Sequence, residues 1–267
     1  MSESFSKLYF FKFFPWDLRC TRRALALAGL AFAIAFVLTA ATDEGDVPWL
    51  LRLGRTWPAL PVCAAVGTWG ALASGRARME RIALETLGRS PQKNLAGYVA
   101  AGALVSLFAG AALAGCPSLD LQAYYPTVAR GGTFVFDGHD FIDPARGLRV
   151  TPDGATTPIP RDGAPTALDA SRSPRARAIA AAVTALTGIA LALLAAGISN
   201  ATPRARLRLA GTVLLALLLT IFAFHAVAAE GSAGGLTLLA ATLPACALLA
   251  YATSSYRRNP GESARPS

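Results

Sequence analysis

The sequence predicts an all-α membrane protein, with six transmembrane helices in a 3+3 arrangement around a small β-rich external insertion. Three observations predict it. Of 267 residues, 54% are hydrophobic and only 15% charged, with a mean hydropathy of +0.44; a soluble domain carries about a quarter charged residues. The apolar residues fall in blocks of roughly 18 to 23, the length that spans a hydrocarbon core at about 1.5 Å per residue. Finally, the blocks have no polar face, which a soluble core helix of that length would show.

The six blocks are Ala24–Ala41, Trp57–Ser74, Leu95–Ala114, Ala178–Ile198, Leu207–Ala229 and Gly235–Tyr251. None holds an acidic residue, and the only base is Arg208, at the edge of the fifth. The segment before the first block, residues 1–23, is basic and aromatic from Leu8 to Trp16. That pattern predicts an interfacial amphipathic segment leading into the first span. It does not fit a cleavable signal peptide, because no small-residue cleavage site follows the block before Asp43.

The formal charge of +9 would suit a nucleic-acid partner, but its distribution argues for a membrane. Lys7, Lys12, Arg19, Arg22 and Arg23 precede the first span. Arg76, Arg78, Arg81, Arg89 and Lys93 follow the second, Arg204, Arg206 and Arg208 follow the fourth, and Arg257, Arg258 and Arg265 end the chain. With alternating spans all of these lie on one side. The first loop on the other side carries Asp43, Glu44 and Asp46 against Arg52 and Arg55. Short loops orient a chain by the positive-inside rule, so both termini are expected in the cytoplasm and no nucleic acid is expected.

Residues 115–177 form the only sizeable hydrophilic stretch. Three β-like runs, Gly132–Phe136, Leu148–Thr151 and Thr157–Ile159, are bounded by Asp137-Gly138, Asp153-Gly154 and Asp162-Gly163 turn signals. A small element of three or four strands is predicted, with a linker from Asp162 to Arg177. The cluster Asp137, His139, Asp140 and Asp143 has ligand-type residues for a divalent ion, but its turn setting favours carboxylates that bond backbone amides. At the end of the linker, Arg172, Arg175 and Arg177 stand just outside the fourth span. They suit either a clamp on an anionic lipid phosphate or ordinary snorkelling. His225 in the fifth block is an intramembrane ionisable group near the outer interface.

The chain has no GxxxxGK[ST], HExxH or GxSxG motif, so no catalytic residue, cofactor or metal is expected and any ATP use belongs to another chain. Cys20, Cys63, Cys116 and Cys246 lack metal-ligand spacing.

The loop at residues 75–94 is the most informative. Ala77–Leu87 predicts a short amphipathic helix with Met79, Ile82, Ala83 and Thr86 or Leu87 on one face. Gly88 stands as its stop and Pro91 as the breaker beyond it. Such a helix is common between spans as a plain surface helix, and it is also the shape of an ABC permease coupling helix.

The wider pattern resembles the LptF/LptG permeases of lipopolysaccharide export: three spans, an external β element, then three spans. Gly75, Glu80, Gly88 and Ser90 stand in the family's order, with the family's spacing from Glu80 to Gly88. Leu243-Pro244 before Arg257-Arg258 is similar to the end of the family's sixth span. The resemblance implies a non-enzymatic permease subunit in a bacterial inner membrane. Its implied partners are a cytoplasmic ABC ATPase, a second permease chain, and a lipid or lipopolysaccharide cargo. It also implies an ATPase-coupling set of Glu80, Met79, Arg81, Ile82, Leu84, Gly88 and Ser90, in which Glu80 projects toward the ATPase. Two features depart from the family. The external element is about half the size of its jellyroll, and Asp43, Glu44 and Asp46 replace basic residues at the outer end of span one. A non-transport scaffold, or a small membrane enzyme working through the external loop, is the alternative reading.

Overall fold

The computed structural model describes residues 15–42, 48–119, 121, 123–125, 135–136, 138–143, 148–158, 174–198, 203–230 and 240–258. They form helices α1 (Pro15–Thr42), α2 (Trp49–Thr56), α3 (Leu60–Ala73), α4 (Gly75–Thr86), α5 (Pro91–Gly115), α6 (Pro174–Ile198), α7 (Pro203–Glu230) and α8 (Thr242–Arg258). Strands β1 (Val135–Phe136), β2 (Phe141–Asp143), β3 (Leu148–Val150) and β4 (Thr156–Pro158) lie between α5 and α6. Among the described residues four helices, α1, α5, α6 and α7, are long and apolar enough to cross a membrane.

The other two apolar blocks take different forms. The second was expected as one helix, Trp57–Ser74. Instead α2 runs into a 3₁₀ turn, Trp57–Ala59, and then into α3 of 14 residues. Pro58 and Pro61 explain the break, since neither can donate the backbone bond that a continuous α-helix needs there. The sixth block was expected at Gly235–Tyr251. Its helix begins at Thr242, with Pro244 in the first turn, and runs on to Arg258. Residues 231–239 lie outside the described set.

Residues 15–23 of the N-terminal segment are helical and continuous with the first apolar block, as part of α1. Pro15 opens the helix and Asp17 sits in its first turn, where proline and an acid are both favoured. Asp17, Cys20, Thr21, Ala24 and Ala28 form its buried stripe. Residues 1–14, with Lys7 and Lys12, lie outside the described residues.

The helical runs alternate in direction. At one end, Cys20 and Ala24 of α1, Ala71 and Leu72 of α3, Leu95 and Tyr98 of α5 and Ala196 of α6 share a core, against which Tyr256 of α8 packs. At the other end, Trp57, Leu113, Ala176, Ala180, Phe224, Val227 and Ala241 share another. Arg19, Arg22, Arg23, Arg76, Arg78, Arg81, Arg89, Lys93, Arg204, Arg206 and Arg208 belong to the Cys20 end, so the charge asymmetry read along the sequence is also an asymmetry of the fold.

Helix α6 is the centre of the bundle, and its widest contact is with α5. Small residues make that contact. A Cβ on Gly110 would lie 2.8 Å from the Ala181 carbonyl oxygen, Gly102 abuts Ala192, and Gly188 abuts Ser106. This is how helices pack in lipid, where no hydrophobic force drives them together and close backbone approach supplies the attraction. Large apolar residues point outward instead: Leu30, Ile34, Val37 and Leu38 on α1, and Leu214, Leu218 and Phe222 on α7. His225 is exposed on α7.

The strands pair in order as an antiparallel meander. Gly138 and Gly154 take positive φ at the two turns expected from Asp-Gly. Strand β2 was not foreseen, because its three residues fall inside the cluster read as a turn. Asp140 pairs with Arg149 at 3.5 Å, and no metal-holding group of three ligands occurs among the described residues. Asp137 and Asp162-Gly163 lie outside the described residues.

Candidate partner interface

Helix α4 is built by its caps. Ser74 is extended, and its Oγ accepts the Ala77 amide at 3.3 Å, a standard way of satisfying a first-turn donor. At the other end Gly88 has φ +84°. The Arg89 amide donates to the Leu84 carbonyl and the Gly88 amide to that of Glu85, each at 3.0 Å. That pair of bonds is a Schellman stop, and the left-handed residue it needs is Gly88, as the sequence indicated. Ser90 then precedes α5, which opens at Pro91.

The two faces of α4 differ. Ala77 and Arg81 are buried, and Glu80 and Leu84 are half-buried. Met79 is 67% exposed, Ile82 46% and Leu87 82%. The apolar stripe expected at i, i+3, i+4 spacing therefore exists, but it faces away from the other described residues. Basic Arg76 and Arg78 flank it and are also exposed.

Of the predicted coupling residues, the structure groups only Met79 and Ile82 on the outward face. Glu80 does not project freely from the helix. Its carboxylate takes Arg76 Nε at 3.0 Å and Arg23 Nη1 at 3.8 Å, which draws it toward α1. Arg81 and Leu84 turn inward, and Gly88 and Ser90 shape the turn. Glu85 accepts a long bond, 3.4 Å, from Asn94.

Beneath α4 lies a polar cluster that the sequence did not reveal. Asp17, at the start of α1, receives Arg89 Nη2 on both carboxylate oxygens, at 2.7 and 2.8 Å. The guanidinium lies 5.2 Å from the centre of the Trp16 ring, which meets Tyr98 edge-on at 6.0 Å. The Thr21 hydroxyl donates to the Asp17 and Gly97 carbonyls, both at 2.9 Å. Glycine is required at 97, because a Cβ there would stand 2.7 Å from the Asp17 carbonyl oxygen. The Tyr256 hydroxyl ties the end of α8 to the Gln92 carbonyl at 3.0 Å. The one sequence signal for this cluster was Asp17, an acid set among the bases Lys12, Arg19, Arg22 and Arg23.

At the opposite end, Arg177, read as a lipid-phosphate clamp or a snorkelling residue, bonds backbone carbonyls of its own chain. Its Nη1 donates to the Leu113 and Cys116 carbonyls at 2.9 and 2.8 Å, and its Nη2 to those of Pro117 and Leu119 at 3.2 and 3.0 Å. The guanidinium closes the C-terminus of α5, where orphan carbonyls and the helix dipole attract a cation. Arg175 is exposed, and Arg172 lies outside the described residues. Next to this cap, the Tyr124 hydroxyl meets that of Thr184 at 2.7 Å, and the Tyr125 hydroxyl donates to the Ala176 carbonyl at 2.9 Å. Both rings pack edge-on against Phe224.

No protein-family model matches the chain, and neither does any curated protein or solved structure.

Proposed function

We propose that this chain is an LptF/LptG-like permease half, which crosses a bacterial inner membrane six times and is driven by a separate cytoplasmic ABC ATPase. In this reading both termini and α4 are cytoplasmic. A second permease chain completes the complex, and its cargo is a membrane lipid of the lipopolysaccharide class. The observation that carries the reading is the outward apolar stripe of α4. Met79, Ile82 and Leu87 stand in a loop flanked by arginines, at the basic end of the bundle, where a cytoplasmic groove can cover them.

The reading changes the role of Glu80. It serves as a brace that holds α4 on α1 through Arg23, while the contact with the ATPase falls to Met79 and Ile82. A non-transport scaffold or small membrane enzyme is the second reading. It is favoured by one observation: Glu80, the residue most central to the resemblance, is already engaged by Arg23 and Arg76.

Met79→Glu combined with Ile82→Glu tests the proposal. Burying one such side chain is worth about 1.5–3 kcal/mol. Losing two amounts to about 3 kcal/mol or more, on the order of a hundredfold in affinity. The double variant should reach the membrane in normal amount but lose co-purification with an ABC ATPase under gentle solubilisation, whereas Glu85→Ala keeps it. If the unmodified chain captures no ATPase, the scaffold reading replaces this one.

A further inference from the structure

We infer that Asp17 and Arg89 form a latch that makes α4 and the first turns of α1 move as one body. The inference uses the docking reading of α4 for its purpose, but the latch itself stands on geometry alone. The joint between α4 and α5 is short, Leu87-Gly88-Arg89-Ser90, and Gly88 gives it a left-handed bend. A joint of this kind would by itself let α4 swing. Arg89 sits in its middle and is anchored 72 positions away on Asp17, with both carboxylate oxygens engaged. The pair is largely enclosed, with side chains 17% and 9% exposed.

Two further contacts hold the pair in place. Arg89 Nη2 also donates to the Lys93 carbonyl at 3.2 Å, which fixes the guanidinium to the first turn of α5. Trp16 covers it as a cation–π partner. Glu80 and Arg23 form a second, more exposed tie, which joins α4 itself to α1. A buried ion pair contributes little net stability over an apolar pair of the same shape, yet breaking one partner leaves an uncompensated charge. Such a pair is therefore better suited to fixing a geometry than to adding stability. A push on the outer face of α4 would reach the first turns of α1 through Arg89 and through Glu80. Arg89 is a positioning residue in this scheme.

The test is a distance measurement between spin labels at Leu18→Cys on α1 and Met79→Cys on α4, both exposed positions. Exposed Cys116 and Cys246 are first changed to serine, while buried Cys20 and Cys63 stay. The chain is reconstituted into lipid vesicles without any partner. The unmodified chain should give one narrow distance. Arg89→Gln and Asp17→Asn should each broaden it and shift part of the population by about 5 Å, the scale of a one-turn helix displacement. The exchange Asp17→Arg with Arg89→Asp should restore the narrow distance. A second label pair, at Leu104 and Leu218, should not change in any variant. Asn at position 17 keeps the shape of the carboxylate, so that variant reports even if Arg89→Gln is not recovered. An unchanged 18–79 distance in Asp17→Asn overturns the latch, as does an equal change at 104–218, which would mean general loosening. Because no ATPase is present, failure of the docking reading leaves this result intact.

Discussion

Gly188→Val is expected to remove the folded protein from the membrane. Gly188 lies where α6 meets α5 and α3 together. A Cβ there would overlap the Ser106 side chain and stand 3.4 Å from Pro61 Cα. Neither neighbour can give way cheaply. The Ser106 hydroxyl is fully buried and bonded to the Gly102 carbonyl at 2.7 Å, and Pro61 is locked in the first turn of α3. Valine adds two further methyl groups to that overlap. Overpacking of a tight core costs about 1–3 kcal/mol when side chains alone adjust. Here helix axes must separate along the widest interface of the bundle, so the cost rises toward the roughly 5–15 kcal/mol of a whole domain's stability. Gly197→Ala is the control: nothing lies within 4 Å of its added Cβ, and alanine is the better helix former by about 1 kcal/mol. Quantitative immunoblotting of membrane fractions should show Gly188→Val depleted and Gly197→Ala at or above the normal level. Normal accumulation of Gly188→Val would mean that the α5–α6 contact is not the one described.

The second large effect is expected at Arg177. Hydrogen bonds to charged groups contribute about 1.5–3 kcal/mol each, and orphaned carbonyls add a further penalty. Arg177 makes four such bonds across the end of α5, so Arg177→Gln should cost on the order of 3–5 kcal/mol. Arg177→Lys should recover only part of this, because an ammonium lacks the planar fork that reaches two pairs of carbonyls at once. Arg175→Gln, at an exposed position, should change stability by less than about 0.5 kcal/mol. Thermal unfolding in detergent would rank the three variants. If Arg177→Gln unfolds like the unmodified chain but loses crosslinking to anionic lipid, Arg177 is a phosphate clamp after all.

The apolar blocks were legible because span length and composition are properties of the local chain. Boundaries followed where a local signal marked them, as at Gly88, which alone can take the left-handed bend, and at Pro91, which opens α5. The break at Trp57–Ala59 was legible in principle from Pro58 and Pro61, but the unbroken apolar composition masked it. The placement of Glu80 was not legible, since its direction depends on Arg23, 57 residues earlier. The same holds for Asp17 with Arg89 and for Arg177 with Leu113. Each charge looked free along the sequence and found its partner only through the antiparallel return of another helix. Periodicity correctly grouped Met79, Ile82 and Leu87, but it could not say whether that face turned toward the protein or away from it. The inward face turned out to be the mixed one, with Ala77, Glu80, Arg81 and Leu84.

In the proposed topology α4 lies in the cytoplasm, at the inner end of a chain that crosses the membrane six times. Labelling with a membrane-impermeant thiol reagent on intact cells tests it most directly. Single cysteines at Gly138, Met79 and Arg206 are introduced in turn into a cysteine-free background. Charge asymmetry predicts that Gly138→Cys is modified from outside, while Met79→Cys and Arg206→Cys react only after the membrane is opened. Modification of Met79→Cys on intact cells would place α4 outside and contradict the account.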